Sequence, residues 1–109
     1  MEANGKTIKM VEGDYGKSLP FKLSGDVLTT DTIKFTIKNS IHDNTSILEK
    51  TFTNLKEEDG KFTFSLSISK EDSEKLLQKE YVYGIKQYRN ETLLNTIIKC
   101  EPFIVEKGV

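Results

Sequence analysis

The stretch KFTFSLSISKEDSEKLLQKEYVYGI, residues 61–85, decides the fold. Phe62, Phe64, Leu66 and Ile68 alternate without error against Lys61, Thr63, Ser65, Ser67 and Ser69. One side of the segment is apolar and the other polar, the period of two that a half-buried antiparallel strand requires. Ser69-Lys70-Glu71-Asp72 follows with the serine and acid spacing of a helix N-cap, Asp72 being placed to answer Ser69. The residues to about Gln78 predict a short helix that buries Leu76 and Leu77. Tyr81, Tyr83 and Ile85 then resume the alternation.

The same rhythm extends outward in both directions. Thr7–Glu12 is a short strand carrying Ile8 and Met10, and Gly13-Asp14-Tyr15-Gly16 turns it. Ser18–Leu23 follows, with Pro20 inside it, which points to a sheet edge or a bulge because proline donates nothing to the ladder. Ser24–Asp31 reads as a loop. Thr32–Asn39 alternates cleanly, with Ile33, Phe35 and Ile37 inward. Ser40–Ser46 is a polar loop, and Ile47–Asn54 is a strand of weak phase that suits an edge. Glu57–Gly60 is a charged turn, Glu80–Tyr88 the tyrosine strand, and Arg89-Asn90-Glu91 its turn. Leu93–Lys99 and Phe103–Val105 close the sheet, with Pro102 breaking or bulging the chain between them.

Seven or eight short strands with one short helix before the tyrosine strand predict an all-β, immunoglobulin-like antiparallel β-sandwich. In such sandwiches three core strands carry a cysteine, a tryptophan and a second cysteine at their centres; here Phe21, Phe35 and Tyr83 take those places. Tyr81, two residues before Tyr83, falls where a tyrosine corner belongs, with its hydroxyl reaching back to the backbone of the preceding loop. Cys100 is the lone cysteine, so aromatic burial must supply the cohesion that a disulfide cannot.

At 109 residues the chain reads as one domain, spanning 1–109. Sixteen basic residues meet seventeen acidic ones, and Arg89 is the only arginine. A nucleic-acid-binding module would gather a basic excess on one face, so no nucleic-acid partner is expected. No apolar run approaches a membrane span. Met1–Asn4 has neither a basic head nor an apolar run, so the chain reads as made in a host cytoplasm with no export signal of its own.

Catalytic chemistry is not legible. His42 is the sole histidine and lies in a polar loop without an orienting partner, and Cys100 reads as a buried small hydrophobe. Glu57, Glu58 and Asp59 do not have the alternating oxygen spacing of a calcium loop. The expectation is no enzyme, no cofactor and no metal. Tyr15 in the first turn and Tyr88 on the outward phase of its strand are the candidate partner contacts, each weighed against simply covering an end of the sandwich.

Three stretches carry a family likeness: EGDYGKSLPFKLSGD, DTIKFTIKNS, and GKFTFSLSISKEDSEKLLQKEYVYGIKQY followed by TIIKCEPFIVEKGV. Their order resembles that of small immunoglobulin-like domains in phages and prophages of Gram-positive bacteria, typified by the N-terminal domain of siphophage baseplate upper proteins. Lys79, and the neighbourhood of Cys100, depart from the family's tendency to glycine. The resemblance implies a non-catalytic part of a phage particle, in the tail tip or baseplate, that meets other virion proteins and forms homo-oligomers or rings. A carbohydrate- or surface-binding module is the alternative that Tyr15 and Tyr88 raise.

Overall fold

A computed structural model of the chain describes residues 1–108. Six of the eight expected strand segments stand as β2 (Thr7–Val11), β3 (Ser18–Leu23), β4 (Thr32–Lys38), β5 (Leu48–Phe52), β7 (Lys61–Ser67) and β8 (Lys79–Arg89). The last two, Leu93–Lys99 and Phe103–Val105, run together as one strand, β9 (Thr92–Glu106). Two three-residue strands, β1 (Glu2–Asn4) and β6 (Lys56–Glu58), and one helix, α1 (Lys70–Glu74), complete the elements. They form two sheets, ordered β1-β2-β9-β8-β4-β5 and β3-β7-β6. Every pairing is antiparallel except β2 on β9, which is parallel. This is an immunoglobulin-like sandwich. Its radius of gyration is 13.9 Å, against about 13 Å for a single unit of this length.

Aromatic rings join the sheets. Phe52 on β5 lies 4.8 Å from Phe64 on β7, which stacks at 5.1 Å on Phe21, its cross-strand partner on β3. Phe21 meets Phe35 on β4 at 6.3 Å, and Phe35 stacks at 5.1 Å on Tyr83 of β8. Phe103 closes the cluster edge-on to both. Each ring contributes on the order of 2–3 kcal/mol by leaving water. Of the three centres named from sequence, Phe35 and Tyr83 are buried and Phe21 is half-buried against the core. Tyr83 also donates its hydroxyl to the Lys6 carbonyl. Burial, followed by the Glu101 carboxylate, pushes that phenol up to about 12.

The corner before β8 forms as its residues dictate, with one difference. Ser69 caps α1: its hydroxyl accepts from the Asp72 N–H at 3.1 Å, and the Asp72 carboxylate accepts from the Ser69 N–H at 2.9 Å. Tyr81 is the expected tyrosine corner, its hydroxyl accepting the Leu77 N–H at 3.0 Å. The helix is shorter than the sequence predicts, ending at Glu74. Lys75 is the C-cap, still with right-handed helical dihedrals, and two residues on the Leu77 N–H goes to Tyr81. Leu76 is buried as expected, but Leu77 is 63% exposed.

The two prolines resolve differently. Pro20 lies on β3, an edge strand of the smaller sheet, as expected. Pro102 neither breaks nor ends β9; it sits in the ladder opposite Val82. The irregularities lie before it, where β9 runs past β8 with register shifts at Tyr83/Ile85, Ile85/Lys86 and Gln87/Tyr88. Each shift sets one extra β9 residue against β8, which bends the strand and changes which face its side chains take.

Candidate functional site

Tyr15 and Tyr88 are placed far apart. Gly16, next to Tyr15, donates its N–H to Ile68 at 2.8 Å, which fixes Tyr15 near the start of β8. Tyr88 stands near the other end of β8, opposite Thr32. At the rise of a strand these ends are separated by roughly 30 Å. Tyr15 is 55% exposed, and the half-buried Tyr88 carries the Lys34 ammonium over its ring at 4.9 Å. The two contribute to different surfaces.

The end of the sandwich near Tyr88 holds a polar network that connects residues distant in sequence. Asp31, wholly buried where the 24–31 loop enters β4, accepts from the Leu28 N–H, from Gln87 Nε2 and from two nitrogens of Arg89. Gln87 also donates to the Asp26 carbonyl at 2.8 Å, and Arg89 Nη2 reaches the Asp26 carboxylate at 3.1 Å. The Arg89 guanidinium outweighs burial and holds the Asp31 carboxyl well below the usual aspartate range. With its acceptors satisfied, this ion clamps the loop to the end of β8.

Beside the clamp three leucines are exposed. Leu28 in the loop is 48% exposed, and Leu93 and Leu94, just past the β8–β9 turn, are 48% and 44% exposed. A cleft of about 500 Å³ opens between the strands beside Leu94, with Leu23, Val27 and Ile97 in its walls. Sequence reasoning placed Leu93 in a closing strand and gave it no role. The adjacent pair Leu93-Leu94 beside a turn was the available signal.

The outer face of the larger sheet is basic and concave. Gly84 lies at its floor, where β9 bulges against β8, and Lys34, Lys38, Lys86 and Lys99 line the hollow with Glu49 the one acid. Cys100 lines it too and is half-buried, not the buried core residue that the sequence suggested. The bulges of β9 turn its Lys99–Cys100 segment toward this face. His42 is exposed in its loop. Among the described residues no group of three or more histidine, cysteine, aspartate or glutamate side chains could hold a metal.

No helix among the described residues is long and apolar enough to cross a membrane. In comparisons with protein-family models, with curated proteins and with solved structures, nothing matches this chain.

Proposed function

We propose that this chain is a non-catalytic structural and assembly component of a bacteriophage or prophage particle, acting in the tail tip or baseplate and meeting further copies of itself and other virion proteins. The phage setting follows from the sequence resemblance; the assembly role draws its support from the surface. One observation carries it: Leu28, Leu93 and Leu94 are exposed large apolar side chains on the loop and strands that the Asp31–Arg89 ion pair joins. Large apolar side chains exposed together favour a protein contact.

The alternative, a sugar-binding module, draws on Tyr15 and Tyr88 as a joint platform. Their placement at opposite ends favours the assembly reading. Sedimentation velocity across a concentration series tests it. Association weakened by Leu93→Glu is the expected result, and a monomer at every concentration overturns self-association.

A further inference from the structure

The hollow on the outer face of the larger sheet carries an excess of positive charge that no ion pair among the described residues answers. Lys34 on β4 stands directly opposite Lys86 on β8 in the ladder. Like charges in that position destabilise a sheet. Lys38 and Lys99 stand on the same hollow, whose volume is about 560 Å³. None of these four lysines forms an ion pair with an acid among the described residues, whereas Lys50 and Arg89 do. Glu49 is the single acid on the hollow, leaving it three positive charges in excess on a domain whose net charge is −1.

Shape points the same way. Gly84 gives the floor no side chain, and the cross-strand neighbour on β4 is the small Thr36. Lys34, Lys38, Lys86 and Lys99 line this space, with the Lys34 ammonium over the Tyr88 ring. The space admits a few side chains, not a folded domain.

We propose that this hollow binds an acidic, extended segment of a partner protein, its carboxylates answering Lys34, Lys38, Lys86 and Lys99. A nucleic-acid strand would call for a basic field over much of the domain, and the balanced charge and single arginine do not provide one. The proposal deepens the assembly reading and rests on it for its biological setting. Peptide binding is measured on the protomer, so its failure leaves association through the leucine end standing.

The test is fluorescence anisotropy with a labelled oligoglutamate peptide at low ionic strength and again at about 0.15 M, where the Debye length is about 8 Å. Lys34→Gln combined with Lys86→Gln should weaken binding about tenfold, equivalent to about 1.4 kcal/mol. Lys56→Gln combined with Lys61→Gln, on the smaller sheet, should leave it unchanged. Amide shifts on titration should centre on Thr36, Gly84 and Thr96, and a dispersed spectrum of each variant confirms its fold. Absence of peptide binding, equal loss in both double variants, or shifts centred elsewhere would overturn the proposal. Tighter binding of a single-stranded oligonucleotide or a sulfated polysaccharide than of the peptide would do the same.

Discussion

Arg89 grips the wholly buried carboxylate of Asp31 with two nitrogens, Nε on one oxygen and Nη2 on the other, each at 2.9 Å. The pair joins residues separated by 58 positions and sets the loop that carries Leu28 against the strand that leads to Leu93. The pair is buried on its carboxylate side alone: Arg89 is partly exposed and also reaches the Asp26 carboxylate.

Asp31→Ala should cost about 1–3 kcal/mol by leaving the Leu28 N–H and the Gln87 side chain short of an acceptor, while Arg89 keeps Asp26. Acid should act on the same group. The carboxyl titrates lower in the folded state than the ordinary 3.8, so below that pH the unfolded chain binds more protons. The stability this group contributes is present above 3.8 and is lost as pH falls toward its folded value. Urea unfolding across an acid series should show this loss, and Asp31→Asn should flatten it.

The tyrosine corner offers a single-atom test. Tyr81→Phe removes the hydroxyl that accepts the Leu77 N–H and leaves the buried ring in place. The expected cost is about 1 kcal/mol, read as a lower denaturation midpoint with an unchanged slope.

Gly84 has a packing reason to be glycine. A Cβ there would meet the carbonyl oxygens of Ile98 and Lys99 at 3.1 Å, and both belong to the backbone of the bulged strand. Gly84→Ala should cost about 1–3 kcal/mol, as overpacking does. It should also weaken oligoglutamate binding by raising the floor of the hollow. Thermal unfolding and peptide titration of the same variant separate the two effects.

The β8–β9 turn is built against its own sequence. Asn90 and Glu91 both have positive φ, 51° and 65°. Asparagine tolerates this region, whereas glutamate is strained in it. Glu91→Gly should stabilise the protein by about 0.5–1 kcal/mol after glycine's extra chain entropy is counted. A higher melting temperature with unaltered association checks it.

Legibility in the sequence followed the regularity of the strands. β4, β7 and β8 each bury one face, so Ile33, Phe62 and Tyr83 mark their phase by alternation alone. β9 was legible as two segments, Leu93–Lys99 and Phe103–Val105, and not as one strand, because its bulges break the period of two between Leu93 and Glu101. That irregularity exposed Leu94 and moved Cys100 to the basic face. The Asp31–Arg89 pair was hidden because nothing local joins a loop aspartate to a turn arginine. Lys34 and Lys86 looked like ordinary solvated positions until the register set them opposite each other. Gly84, in the middle of a tyrosine strand, was the visible hint that another backbone passes close by.

Sedimentation velocity of the purified chain, with Leu93→Glu alongside, tests the assembly account most directly. The account predicts species heavier than the 12.4 kDa protomer that grow with concentration and recede in the variant. A single 12.4 kDa species throughout, identical for both proteins, would contradict it.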